Sequence, residues 1–418
     1  LDSTCDFQAH HELAGQVAAV AVVLLRNDRQ LLPLKSGRPI LVVGPGAVTP
    51  VFQGGGSSRL NPRQLDAALD GLRLLAPVLY CEGYGGPDQA RQRSEACALA
   101  IGQSAVVVFV QLPEGAESEG YDRTSIDLPV EQVELIRALA SVNPAVVVVV
   151  AHGSALRLRE VEPSARAILW TWLAGEAGGT AIAQILFGQV NPSGKLAETL
   201  PLELAHNPSF LAFPGTTDRV VYEEGVFVGY RYYDVKKLEV QYPFGHGLSY
   251  TRFEYDDLRV SQSNLRNGDT LSLQVSLRNT GLREGQEVVQ VYVRDCESSL
   301  RRPDQELKAF AKVRLQAGES RELVFDLGER AFAHYVPHLR RFAVESGDFE
   351  IRVGASSRDI RLQQVVTFDS LDLTAPPLRA DNAVKLWLRD ARIGARLHAL
   401  LAEAGLTEAM SEYQLLVS

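Results

Sequence analysis

Apolar and polar positions follow two different rhythms along the chain. Up to about residue 250, compact apolar runs alternate with segments of helical period. Residues 39–44, 77–81, 105–111, 146–150 and 165–172 read as strands. Their near-continuous Val, Ile and Leu content is what strands covered on both faces require. Between them, 10–26, 61–75, 88–102 and 130–141 have apolar residues at helical spacing, and a further helix runs through Leu186 to end at Gly188. In the first of these, Leu13, Val17, Val20, Leu24 and Leu25 share one face. Strand–helix alternation of this kind predicts an open, mostly parallel, doubly wound α/β sheet. Beyond about 250 the period shortens to two. Segments 271–278, 287–294, 308–315, 322–326 and 348–353 alternate apolar with polar and are punctuated by turns at Asn267-Gly268, Gly281, Gly318 and Gly347. That is the pattern of an antiparallel β-sandwich. The tail, 381–404, returns to helix, with Ala383, Leu386, Trp387, Ile393, Leu397 and Leu400 as its apolar positions.

The most chemically loaded stretch is an acidic loop, 114–123 (EGAESEGYDR), directly after the buried strand 105–111. It places Glu114, Glu117, Glu119 and Asp122 at the carboxyl end of a parallel strand, where open α/β sheets put their ligand chemistry. A solvated acidic loop would look the same from composition alone. Two other loops could face it. Gly54-Gly55-Gly56 allows positive φ and close approach to the backbone, and Ser57, Ser58 and Arg59 then offer donors to a polar substrate; a flexible surface turn is the other reading. Gly44-Pro45-Gly46 lacks the third glycine of a dinucleotide loop, Thr49 standing in its place. His152, at the end of strand 146–150, reads as a hydrogen-bonded structural residue.

Composition narrows the classes. With 46% hydrophobic and 22% charged residues the chain is an ordinary globular protein, long enough at 418 residues for two or three cores. A net charge of −9 argues against nucleic acid or an anionic membrane surface as the main partner. No apolar run reaches the length of a membrane span, and the apolar stretch 17–25 lacks the cleavage site of a signal peptide. Cys5, Cys81, Cys97 and Cys296 form no CxxC pair, so neither a zinc site nor a disulfide framework is expected. Cellular compartment stays open.

Several long motifs, in order over nearly the whole chain, resemble glycoside hydrolase family 3. They are 22–34 (VVLLRNDRQLLPL), 54–58 (GGGSS), 117–123 (ESEGYDR), 186–188 (LFG), 191–196 (NPSGKL), 222–233 (YEEGVFVGYRYY) and 242–250 (YPFGHGLSY). The sandwich, with 279–281 (NTG) and 285–292 (GQEVVQVY), resembles that family's fibronectin type III-like module. The resemblance implies a linker with its leading helix at 1–34, an α/β sandwich at 35–250, the fibronectin-like module at 251–370 and a helical extension at 371–418. It implies a retaining, exo-acting β-glycosidase, most simply a β-glucosidase, needing no metal or cofactor. In that family a barrel supplies the nucleophilic aspartate from a Ser-Asp-Trp-type motif, and the α/β sandwich supplies the acid/base glutamate. No Ser-Asp-Trp occurs in this chain. The expectation is therefore that the barrel lies on a separate polypeptide or is missing, with something upstream removed or not included; a non-catalytic carbohydrate-binding or structural remnant is the alternative.

Counting back from Asp122-Arg123, the resemblance puts the acid/base at Glu119; other relatives align better with Glu117, the alternative. Residues i and i+2 of an extended segment point the same way. The remaining glutamate, with Asp122 and Arg123, is expected to anchor the loop through an ion pair. Ser57, Ser58, Arg59 and Tyr121 are the candidate substrate contacts, and the sandwich is expected to be a stabilising module.

Overall fold

The computed structural model describes residues 5–113, 115–337, 339–370, 378, 384–390 and 393–404. Glu114 of the acidic loop, and Ala383 of the tail, lie outside them. The first layer is a six-stranded sheet. Its strands are β1 (Val23–Asn27), β2 (Ile40–Val43), β3 (Val78–Cys81), β4 (Ala105–Gln111), β5 (Val146–Ala151) and β6 (Ala167–Trp170), in the order β1-β6-β5-β4-β2-β3. All pairings are parallel except β1 on β6. Alternate residues of β4 serve opposite cores. Val106, Val108 and Val110 pack under α3 (Gln89–Ala100) and α4 (Val130–Val142). Val107 and Phe109 pack with α2 (Ala68–Arg73) and α5 (Gly178–Leu186). Both faces are covered, which is why the strands read as unbroken apolar runs.

Two helices depart from their predicted extents. The first, α1, spans Phe7–Ala21 and is capped by Asp6, whose carboxylate accepts from Ala9 N–H at 3.0 Å. Its predicted continuation is instead the edge strand β1, with Val23 opposite Trp170 and Leu24 opposite Leu169. Leu13 and Val17, expected on the core face, are 56% and 57% exposed, whereas Ala18 and Ala19 are buried against Ala181 of α5. Small residues let these helices approach closely, so the large ones point outward. The second helix is only six residues long rather than spanning 61–75. There the Asp66 carbonyl lies where a Cβ on Gly179 would fall 2.3 Å away, and Asp66 N–H is bonded to the Glu176 carbonyl at 2.8 Å. That backbone contact holds 61–67 out of a helix. His11 of α1 fastens the same region, its two ring nitrogens 2.9 Å from Glu176 and 3.2 Å from Asp66.

A short ribbon of β7 (Leu200–Pro201) and β8 (Val240–Tyr242), with α6 (Tyr230–Val235) between them, leads to the β-sandwich. Its strands are β9 (Phe253–Val260), β10 (Asn264–Arg266), β11 (Thr270–Asn279), β12 (Gly285–Asp295), β13 (Glu306–Leu315), β14 (Ser320–Gly328), β15 (His334–Val336), β16 (Arg341–Ala343), β17 (Gly347–Ser356) and β18 (Asp359–Asp369). A five-stranded sheet, β10-β18-β17-β12-β13, faces a three-stranded one, β14-β11-β9, and β15–β16 form a hairpin. The short β10 pairs parallel to β18; the other pairings are antiparallel. The layers are joined by a buried ion pair, Lys195 Nζ to Glu287 at 2.8 Å, and by Tyr230, which stacks on Phe244 and accepts from Leu307 N–H at 2.7 Å. In the tail, α7 (Val384–Arg389) and α8 (Gly394–Glu403) are helical. Among the described residues no helix is long and apolar enough to cross a membrane, and all four cysteines are free thiols.

Candidate active site

Loops from the carboxyl ends of β2, β4, β5 and β6 converge on one rim, enclosing a cleft of about 350 Å³. The acidic loop is its centre. Glu117 and Glu119, two residues apart, are held in opposite ways. Glu117 turns inward and is bonded to three residues. Gly153 N–H donates to it at 2.8 Å, Arg123 Nη1 at 2.9 Å, and the Ser154 hydroxyl donates as well. Burial works to raise the Glu117 carboxyl, but these donors and the Arg123 charge outweigh it and hold it below the usual range. Gly153 eases this approach, since a Cβ there would lie a tight 3.2 Å from the carboxylate.

Glu119 lies at the exposed end of the loop. Among the described residues its carboxylate accepts from Ser57, from the N–H at 2.8 Å and from the hydroxyl. Those two bonds hold its pKa down. The glycine turn explains why Ser57 can reach it. Gly56 has φ +84°, and a Cβ there would come within 2.8 Å of the Glu119 carboxylate; one on Gly55 would meet the Glu117 carbonyl at 2.9 Å. The triple-glycine turn is thus packed against the acidic loop rather than free.

Arg123 is the loop's fastener. Besides Glu117 it donates to the Ser154 hydroxyl at 2.6 Å and to the Ser125 carbonyl at 3.0 Å. Asp122, predicted to share that anchoring, is exposed and makes no ion pair among the described residues. The far end of the loop is held by Arg157, paired with Asp127 at 2.7 Å and Glu203 at 3.1 Å. Tyr121 is 51% exposed and donates to the Gly115 carbonyl within the loop. Ser58 bonds weakly back to Gly55 O at 3.4 Å, and Arg59 lines the cleft. Phe109 is core, 4% exposed.

His152 is fully buried, its ring edge-on to Trp170 at 3.9 Å, and burial depresses it to about 4, so it is neutral at ordinary pH. No well-formed hydrogen bond reaches either ring nitrogen among the described residues, and only the Ser154 backbone acts on the ring, so packing holds this histidine more than the hydrogen bonding expected there. The sequence reading did not reach Gly153, Ser154 or Glu198. Glu198 is half-buried, and burial, with the Glu117 charge adding and Arg123 opposing, raises it to about 7. A carboxyl neutral at mild pH beside an ionised one is the division of labour that polar catalytic sites use. No local motif marks any of the three, which come from other turns of the chain.

A model of the glycosyl hydrolase family 3 C-terminal domain matches residues 22–250, and a fibronectin type III-like domain model matches 287–357. The chain is similar to thermostable beta-glucosidase B of Acetivibrio thermocellus, 43% identical over 406 residues, covering 95% of this chain and 54% of that protein. It is 40% identical over 413 residues to an exo-alpha-(1->6)-L-arabinopyranosidase of Bifidobacterium longum, covering 96% of this chain and 54% of that one. The crystal structure of the Bifidobacterium adolescentis GH3 beta-glucosidase matches with a TM-score of 0.87 at 41% identity, over 95% of this chain and 58% of that one. The chain spans about half the length of the relatives it matches, each of which is a longer single chain; they lend no support to a barrel on a separate polypeptide.

Proposed function

The chain belongs to glycoside hydrolase family 3, and from that premise we propose that it supplies the acid/base half of a retaining, exo-acting β-glycosidase site. Its substrate would be a terminal non-reducing β-D-glucosyl residue. Glu119 is the acid/base, and the nucleophilic aspartate belongs to a barrel domain outside these 418 residues. The observation that carries this choice is the contrast in bonding. Glu117 is occupied by three donor residues, whereas Glu119 is exposed and, among the described residues, held by Ser57. A proton-transfer group must reach the glycosidic oxygen, and the exposure of Glu119 supports that role for it, although Glu117 is the one that lines the cleft.

The chemistry follows from that position. The aspartate attacks the anomeric carbon while Glu119 protonates the departing oxygen, and the resulting carboxylate then takes a proton from the water that hydrolyses the glycosyl-enzyme. In the chain by itself Ser57 favours the ionised form of Glu119. Bringing an anionic nucleophile to about 5–5.5 Å adds the like charge that makes such a carboxyl retain its proton. The position of Arg59 in the cleft lining and the exposure of Tyr121 on the acidic loop support sugar contacts for both. The beta-glucosidase and arabinopyranosidase relatives are almost equally similar over this half, which supports placing sugar choice in the barrel.

The test is Glu119→Gln in protein carrying both halves. Hydrolysis of cellobiose, whose leaving group needs protonation, should fall about 10²–10⁴-fold, with less loss on an activated aryl β-glucoside, and azide should restore turnover of the aryl substrate by Glu119→Ala as a glycosyl azide. If Glu117→Gln behaves this way and Glu119→Gln does not, the assignment is reversed. If neither substitution alters turnover, the non-catalytic remnant is the better reading.

A further inference from the structure

A second cleft, of about 700 Å³, opens between α6 and the β-sandwich and shares no lining residue with the acidic loop's cleft. Five cations line it, Arg231, Arg301, Arg302, Lys308 and Arg330, against two carboxylates, Glu306 and Asp326. In a chain of net charge −9 such an excess needs a reason. Three of the cations share one carboxylate. Glu306 lies 3.1 Å from Arg302, 3.4 Å from Lys308 and 3.4 Å from Arg231. Asp295, behind the cleft, takes the other nitrogen of Arg302 at 2.8 Å. The Arg302 and Lys308 side chains are only 7% and 14% exposed, so water does little to screen them. Burial, with the charges of Arg302 and Arg231 adding, depresses Lys308 despite Glu306.

The rim supplies what the floor leaves incomplete. Arg301 and Arg330 have no ion pair among the described residues; the Arg330 guanidinium rests on Phe342, 3.2 Å from its centroid, and Arg301 lies 5.8 Å from the centroid of Phe227, near the outer limit of cation–π attraction. A guanidinium laid on a ring is fixed in orientation with its donors directed outward in its own plane, the geometry that grips a carboxylate with two parallel bonds. Beside it the hairpin presents Tyr335 and Phe342, edge to face at 5.3 Å and 49% and 45% exposed. Half-exposed ring faces next to fixed donors fit the apolar face of a pyranose bearing an acidic group. The cleft has the volume of a small-ligand site.

We propose that this cleft binds an anionic saccharide, a short oligosaccharide carrying carboxylates, held by Arg301 and Arg330 with a sugar ring against Tyr335. This site is independent of the proposed hydrolysis, and its occupancy is read without any turnover.

The experiment is calorimetric titration of the chain with trigalacturonate, using cellotriose as the uncharged saccharide and inorganic sulfate as the anion without a sugar. Trigalacturonate should bind and weaken as salt is raised, because salt screens the exposed Arg301 and Arg330; cellotriose and sulfate should bind at least tenfold more weakly. Arg301→Ala with Arg330→Ala should weaken trigalacturonate at least tenfold while leaving the thermal midpoint unchanged, both side chains being exposed. Arg330→Lys, which keeps the charge but loses the fork, should fall between, and Tyr335→Ala should weaken trigalacturonate without affecting sulfate. Equal binding of cellotriose, equal binding of sulfate, or unaltered affinity in the double arginine variant would each overturn the proposal.

Discussion

Glu117 and Glu119 are the same residue type with different hydrogen-bond inventories, and that difference sets what each can do. Glu117 has its oxygens bonded to Gly153, Ser154 and Arg123, with both partners of the ion pair about one-fifth exposed. Removing its charge strands Arg123 and two donors, so Glu117→Gln should cost about 1–3 kcal/mol of stability. The pH dependence has a definite sign. A carboxyl whose folded pKa is depressed contributes stability that is present above its unfolded value, about 4.3, and is lost as pH falls through the folded value. The gap in thermal midpoint between the native chain and Glu117→Gln should therefore be full at pH 7 and close progressively on acidification below about 4.5. A gap that is the same at pH 7 and pH 3 would show that the ionised form is not what is being held. Glu119 invites the converse substitution. Ser57→Ala removes the hydroxyl donor while leaving the Ser57 N–H in place, so the Glu119 titration, followed by carboxyl NMR, should move up and the thermal midpoint should barely change.

Elements were legible in the sequence where both faces are buried, and illegible where a distant partner decides the outcome. The runs at β4 and β5 have no polar face to lose, so their apolar continuity alone identified them. The stretch 22–25 has the same composition but follows a helix in phase, and nothing local distinguishes its continuation from a strand; pairing with β6, over 140 residues downstream, makes the choice. Segment 61–67 failed for a related reason, its backbone being claimed by Glu176. The candidate site divides likewise. The acidic loop and the Ser57 turn announced themselves through charge and glycine content, whereas Gly153 and Ser154, 36 and 37 residues from Glu117, have no signature of their own. The same distance effect joins the two layers. Lys195, in the connection after α5, and Glu287, on β12, are 11% and 8% exposed and lie 2.8 Å apart. Breaking a buried pair leaves one charge without its partner, so Lys195→Met or Glu287→Leu alone should cost about 3–5 kcal/mol. The double substitution should recover most of that loss, because two apolar side chains leave no stranded charge. Chemical denaturation of the two single variants and the double measures it; simple additivity would mean that the pair does not couple the layers.

At the scale of the whole molecule, the sheet and the sandwich have complete cores, yet one surface segment is finished differently. Between 210 and 222, Phe210, Leu211, Phe213, Val220, Val221 and Tyr222 are all exposed, Leu211 at 92% and Tyr222 at 81%. The segment follows Glu203, which pairs with Arg157 at the base of the acidic loop. Defective folding is a poor account of this exposure, since Tyr230 and Tyr233, a few residues on, are 9% and 3% exposed. Contiguous apolar surface of this kind marks a contact face, and in relatives about twice as long there is a further half to provide the contact. The expected consequence is a chain that behaves differently alone and joined. Alone, it should bind a hydrophobic dye, and Leu211→Ser with Tyr222→Ser should reduce that binding while changing stability by no more than about 0.5 kcal/mol per site. In protein carrying the barrel half, amide exchange across 210–222 should slow by at least tenfold relative to the chain alone, and exchange in β4 and β5 should not change. The contrast between the two regions is what makes the measurement decisive, because general stabilisation would slow both. Equal exchange across 210–222 in the two forms would place the contact face elsewhere, and the acidic loop's rim would then be the next surface to examine for it.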